Sequence, residues 1–264
     1  MKKLLSLFLV IGLLFAVSTS ALAQENTETS ALSTAEISIV INEVGLTEEE
    51  VELYPIQFSR ELIAGNAKKL SNNKPQSYNL VSEGPTNSGG ISPYALTTDD
   101  ITLNGAAFET TSDVPGSKKF ILVGTFYWNV EPFWNLTDKM SIGYPVTNEW
   151  YLRTSGGSIL GHSSEMCNFE VYWDCDASTT PANHDLGVGV AAKFDLSGTA
   201  AAMKGWVQQY VYSEKSSGRS NVLFRYGHKI ISGTPAVSIY PVGLAVTPST
   251  TTETLDYVID FDWD

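Results

Sequence analysis

Beyond about residue 93, apolar side chains occur in short runs that are separated by turn-forming residues. Residues 120–128 are apolar at nearly every position, as in a strand that is buried on both faces. Residues 140–144 alternate apolar with small or polar side chains, which is typical of a strand with one buried face. Eight or more such runs, with no helix long enough for a parallel crossover between them, predict a mainly β fold. We expect an antiparallel β-sandwich (jelly-roll-like) or a barrel.

Four further patterns contribute strands to this β domain. Residues 186–194 alternate along a single face, and residues 206–212 and 222–226 flank a polar turn as in a hairpin. Residues 237–246 surround a proline, and residues 257–264 alternate aromatic with acidic side chains.

The stretch ahead of the β runs has helical periodicity. Thr47 and Glu50 have the spacing of a capping box, and apolar residues recur at helical spacing over residues 56–70. We therefore expect a small helical segment before the β domain. It is either a pro-region on a tether or a pair of helices that pack on the sheet.

The first residues have the pattern of an export signal. Lys2 and Lys3 precede an apolar run over residues 4–17, and a small-residue cleavage box, Ala21–Ala23, follows. We expect cleavage after Ala23 and a secreted protein, extracellular or at the cell surface. The predicted division is a signal peptide at 1–23, a helical N-terminal segment at 24–70, a linker rich in Asn, Pro, Ser and Gly at 71–93, and a β-sandwich domain at 94–264.

The charge of the chain restricts its partners. The formal net charge is −13, and nucleic acid or anionic lipid is repelled by such a surface. We expect no nucleic-acid partner, no membrane contact once the signal is removed, and no cofactor.

The chain has two cysteines, Cys167 and Cys175. In an exported chain such a pair predicts a disulfide. A metal site is not expected, because zinc usually takes four ligands at recognisable spacing.

Three patterns resemble catalytic or metal sites only in part. Residues 161–165 begin like the nucleophile elbow of an α/β-hydrolase, but Glu165 stands where the closing glycine belongs. The three histidines are scattered. The final aspartates have the spacing D-x-D-x-D without the glycine and glutamate of a calcium loop, so we interpret them as a solvated strand face. The histidines are His162, His184 and His228, and the aspartates are Asp260, Asp262 and Asp264.

Residues 126–135 are the densest aromatic stretch, and Pro132 places part of it in a loop. Aromatic rings on the surface of a sandwich can stack on sugar rings, while a neighbouring carboxylate holds hydroxyl groups. The candidate ligand-binding residues are Trp134, Trp128, Tyr127 and Glu131, although core packing is also expected of Trp128, which ends an apolar strand.

These observations leave three hypotheses for the function. The first is an exported, non-catalytic binding module, with a glycan or cell-wall polymer as the possible ligand. The second is a secreted hydrolase that uses a carboxylate pair, for which no catalytic residues can be named. The third is a pore-forming or outer-membrane β protein.

Overall fold

The computed structural model describes residues 31–70, 96–240, 243–249 and 251–264. The chain divides into two compact units, Met1–Ser33 and Thr34–Asp264, and the fold described below is that of the second. The predicted signal peptide lies outside the described residues, and so does the predicted linker.

The second unit consists of short helices followed by strands. The helices are α1 (Thr34–Ile39) with a π-helical turn (Val40–Val44), α2 (Glu48–Leu53), α3 (Ile56–Ala64) and a 3₁₀ turn (Val146–Asn148). The strands are β1 (Lys68–Lys69), β2 (Ile101–Thr110), β3 (Lys118–Trp128), β4 (Thr137–Gly143), β5 (Trp150–Tyr151), β6 (Thr154–Ser155), β7 (Ser158–Ile159), β8 (His162–Phe169), β9 (Trp173–Ser178), β10 (Asn183–Asp185), β11 (Gly189–Asp195), β12 (Ala202–Ser213), β13 (Gly218–Lys229), β14 (Val237–Tyr240), β15 (Gly243–Val246) and β16 (Thr252–Trp263).

Two antiparallel sheets form the sandwich. Sheet A has the order β1-β2-β3-β12-β8-β9, with β5 beside β12, and sheet B has the order β10-β11-β4-β13-β16. This confirms the expected mainly β, antiparallel fold with a helical segment before it. Among the described strands, no sheet closes into a barrel.

The apolar core lies between the two sheets, where β3 supplies Phe120, Leu122 and Phe126 and β13 supplies Phe224. Two glycines that face each other across β2 and β3, Gly105 and Gly124, allow the ring of Phe224 to approach the sheet. A Cβ atom at either glycine would lie 2.3–2.6 Å from that ring. The glycines therefore set the spacing of the sandwich at its centre.

The helices begin as the sequence predicts and end earlier. The Thr47 side chain accepts from the Glu50 amide, and the Glu50 carboxylate accepts from the Thr47 amide, so the capping box is confirmed. The expectation of a helix over 56–70 is wrong at its C-terminal end. Asn66 has a φ of 47°, which ends the helix, and the two lysines of β1 pair with β2 instead.

The helices pack on the outer face of sheet A. Phe58 and Leu62 of α3 are buried against side chains of β2 and β3, including Phe108 and Val123. The Tyr210 hydroxyl of β12 donates to the carboxylate of Glu61, and the Gln208 amide donates to the same group. These contacts are those expected of helices that pack on the sheet, while removal of the segment stays a prediction.

Two strand predictions are corrected. Residues 206–212 and 222–226 do not form a hairpin, because β12 pairs within sheet A and β13 pairs within sheet B. The turn between them crosses from one sheet to the other. The strand that the sequence predicts from Leu186 begins only at Gly189, and Leu186 is exposed. Gly189 has a φ of 140°, a backbone conformation that glycine adopts without a steric cost.

A buried histidine makes the stability of the fold depend on pH. His162 on β8 lies opposite Gln209 of β12 and is 4% exposed. Burial lowers the pKa of His162 from 6.5 to about 4. The unfolded chain therefore binds more protons than the folded chain between these values, and stability is lost as the pH falls from 6.5 to 4.

We expect His162→Gln to remove this loss, which amounts to about 3 kcal/mol. Urea unfolding of the protein and the variant at pH 7 and pH 4 measures it. The exposed His184→Gln is the control: burial lowers the pKa of His162 more than the charge of His184 does, so this variant should keep most of the acid sensitivity. An equal loss in the protein and in His162→Gln would contradict the assignment.

Candidate functional site

The predicted aromatic residues lie where β3 runs into the loop of residues 129–136, which leads to β4. Tyr127 is 38% exposed and Trp134 is 45% exposed, and Glu131 is also exposed. Trp128 is buried, and its Nε1 donates to the Tyr226 hydroxyl at 3.2 Å. The structure thus presents three of the four candidate residues to solvent and packs the fourth in the core.

A second loop adds apolar side chains to the same end of the sandwich. The tip of the β8–β9 hairpin exposes Val171 and Tyr172 almost fully, and Trp173 in part. Loop 129–136 exposes Phe133 even more than Trp134. We call the combined surface the aromatic end; its members are Tyr127, Val130, Phe133, Trp134, Val171, Tyr172 and Trp173.

Residues 196–201 hold the two parts of the aromatic end together. The Leu196 amide donates to the carbonyl of Leu136, and the Ala201 amide donates to the carbonyl of Phe169 at 2.7 Å. The Ser197 amide donates to the side chain of Asn168. One connecting segment therefore contacts both loops, which puts their exposed side chains on one surface.

A buried carboxylate anchors the base of loop 129–136. Asp138 on β4 is fully buried and accepts from the Tyr226 hydroxyl at 2.7 Å and from the Lys229 amide at 2.9 Å. Its partner at 2.9 Å is Nδ1 of His228. Burial raises the pKa of Asp138, and the His228 interactions oppose the rise. Because Tyr226 also accepts from Trp128, both ends of the loop are tied to one network.

The predicted disulfide anchors the other part. Cys167 and Cys175 lie directly opposite each other on β8 and β9, with their Cα atoms 4.0 Å apart, and they are bonded. All six residues of β9 are exposed, and β8 is the partner that this edge strand has among the described strands. The disulfide, which is typical of an oxidising compartment, holds the hairpin tip in place.

The other candidate patterns do not form sites. Residues 162–169 form a continuous strand, so the partial elbow lacks the strand-to-helix turn that a nucleophile needs. Glu165 lies near both cysteine sulfurs, but disulfide sulfurs are poor metal ligands. A groove of about 410 Å³ between β10 and β14 has a single carboxylate, Asp185, in its lining. It does not supply the carboxylate pair of the hydrolase hypothesis.

The final aspartates include an exposed pair on β16, where Asp260 and Asp262 both pair with Arg219 of β13. His184 is on edge strand β10, and its charge acts on the buried His162. Sequence reasoning missed Phe133 and the hairpin tip, although the apolar Val-Tyr-Trp run between two cysteines was a usable signal.

No family model and no curated protein matches the sequence. Among solved structures, the fold is similar to one described as "Pore forming protein", with a TM-score of 0.37 and 10% identity over 62% of this chain and 91% of that chain. It is also similar to the NetB toxin of Clostridium perfringens in its membrane-inserted form, with a TM-score of 0.34, 10% identity and coverage of 75% and 97%. The delta-toxin of Clostridium perfringens has a TM-score of 0.28, 6% identity and coverage of 64% and 87%. TM-scores this low carry no argument for a function.

Within the described residues, no helix has the length and apolarity needed to span a membrane.

We expect Asp138→Asn to destabilise the protein by about 3–5 kcal/mol, because it breaks a buried pair and leaves buried donors without their acceptor. Urea unfolding gives the free energy of unfolding. Asp195→Asn is the matched control: this aspartate lies on the neighbouring strand, is 68% exposed, and should change stability by under about 1 kcal/mol. Equal effects of the two substitutions would show that the network does not anchor the loop.

We expect the double variant Cys167→Ala/Cys175→Ala to loosen the hairpin tip. In the chain-entropy model so short a loop contributes about 2–3 kcal/mol. Amide hydrogen exchange should speed up in β9 and in residues 169–173 and stay unchanged in β3. The intact protein treated with dithiothreitol should show the same pattern, and unchanged exchange in β9 after both treatments would contradict this role.

Proposed function

We propose that this is an exported, non-catalytic protein that attaches to uncharged or zwitterionic membrane surfaces through its aromatic end. The main observation in support of this proposal is that two loops expose large apolar side chains on one surface. Phe133 is 85% exposed and Val171 is 87% exposed. Exposed apolar patches of this kind mark interaction sites.

The composition of the patch favours a membrane over a soluble partner. Tyrosine and tryptophan rings prefer the membrane–water interface. Transfer of phenylalanine and valine side chains from water to the acyl boundary is favourable in free energy. Burial of one such side chain contributes about 1.5–3 kcal/mol. Side chains that protrude at the tips of anchored loops can enter lipid without unfolding the sandwich.

The negative net charge of the protein determines which type of lipid surface it can approach. At a net charge of −13, the protein is repelled by anionic lipid surfaces. Zwitterionic and uncharged surfaces do not repel it. This proposal departs from the expectation of no membrane contact, because that expectation considered charge and spanning length but not exposed loop tips.

A glycan is the second candidate ligand. Tyr127 and Trp134 expose flat rings, and Glu131 lies between them in the sequence with an exposed carboxylate. This arrangement suits sugar stacking, but it leaves Phe133, Val171 and Tyr172 without a role. Pore formation is named in the description of one similar structure, and leakage is a separate readout of the test below.

The test uses vesicles of phosphatidylcholine, with and without phosphatidylserine, and flotation to separate bound protein. The exported protein from Gln24 onward, called the intact chain below, should float with phosphatidylcholine and less with the anionic mixture. Phe133→Ala/Trp134→Ala and Val171→Ser/Tyr172→Ser should each weaken attachment about a hundredfold, as expected for two side chains of this size. Their melting temperatures should hardly change, since the side chains are exposed.

Val146→Ser is the matched control, because Val146 is 65% exposed and follows the opposite end of β4. It should attach normally. If the intact chain floats with none of the vesicles, the proposal is wrong. Retention on a polysaccharide matrix that is lost in Trp134→Ala alone would then support the glycan. Release of a trapped dye after attachment would add pore formation.

A further inference from the structure

One cation lies at the aromatic end. Lys204 is near the start of β12 and lies opposite Tyr127 on β3 and Cys167 on β8. Residues directly opposite in a sheet share a face, so the Lys204 and Tyr127 side chains emerge side by side. The Nζ atom lies 4.5 Å from the centroid of the Trp173 ring.

The ammonium group of Lys204 has no anionic partner in the described part of the chain: no carboxylate there lies within ion-pair distance. Glu165 lies two residues before Cys167 on β8, and its carboxylate accepts from Nε1 of Trp206. An ammonium group without an ion pair beside exposed aromatic side chains is available to an anionic group. The cation–π contact keeps it at the surface.

We propose that Lys204, flanked by Tyr127 and Trp173, binds the phosphate group of a zwitterionic lipid headgroup. This rests on the proposed membrane attachment and names the lipid group that the attachment recognises. An ammonium group has three donors and binds phosphate as a point charge. The Trp173 ring covers one side of the ammonium group, and partial removal of water from that side strengthens the contact with phosphate.

The experiment compares two uncharged surfaces that differ in phosphate. Vesicles of phosphatidylcholine carry it, and vesicles of digalactosyldiacylglycerol do not. Lys204→Gln should weaken attachment to phosphatidylcholine about fivefold to tenfold and leave attachment to the galactolipid unchanged. Lys204→Arg keeps the charge and should retain most of the attachment.

Lys68→Gln is the matched control, because Lys68 is an exposed lysine that pairs opposite Glu109, near the far end of β2. It removes the same charge and should attach as the intact chain does. Melting temperatures of all three variants show whether the fold is kept, and a destabilised Lys204→Gln would be replaced in the comparison by Lys204→Met.

Two outcomes would overturn the inference while leaving membrane attachment intact. In the first, Lys204→Gln attaches to phosphatidylcholine as the intact chain does. In the second, it weakens attachment to both vesicles equally, so that the lysine acts through packing. If the intact chain attaches to neither vesicle, the proposed function itself fails.

Discussion

The carboxylate of Asp138 is the charge on which the aromatic loop and the end of the sandwich depend. A buried carboxylate costs several kcal/mol unless donors surround it, and here Tyr226, His228 and Lys229 all come from β13. This requirement fixes β4 against β13 at the point where the loop ends. Trp128, at the other end of the loop, joins the network through Tyr226. The loop therefore starts and finishes on rigid strands, so its apolar side chains project outward.

Local sequence signals predicted those elements whose partners are close in the chain. The capping box of Thr47 and Glu50 needs four consecutive residues, and the disulfide needs two strands joined by a short turn. The buried strand of residues 120–128 was also predictable, because both of its faces are covered and every position is apolar. In each case the physical cause lies within about ten residues.

Predictions that depended on distant partners failed. Residues 206–212 and 222–226 have the pattern of a hairpin, yet each pairs with strands elsewhere in the chain and the turn joins two sheets. Alternation alone cannot distinguish these arrangements, because both bury every second side chain. The apolar alternation of β11 extends back to Leu186 in the sequence, but the strand itself begins at Gly189. The surface of the aromatic end was missed for the same reason: the strand order β3-β12-β8-β9 brings Tyr127 and Trp173 to Lys204 of β12, although 45 residues separate the two aromatic residues in the sequence.

The helices explain why the aromatic end stays open. They cover the outer face of sheet A over Phe108, Ile121 and Val123, and Phe58 extends the cover as far as Trp206, with ring centroids 6.2 Å apart. Tyr127 follows Val123 by four residues on the same face of β3, and it is exposed. The cover therefore stops one row short of Tyr127 and Lys204. The C-terminal end of α3 lies at the opposite end of sheet A, where the Gly65 carbonyl accepts from Thr110 and Thr111. There the left-handed Asn66 ends the helix and the chain turns back into β1. Because α3 runs from Trp206 away from the aromatic end, it leaves Tyr127 and Lys204 uncovered and available to a partner.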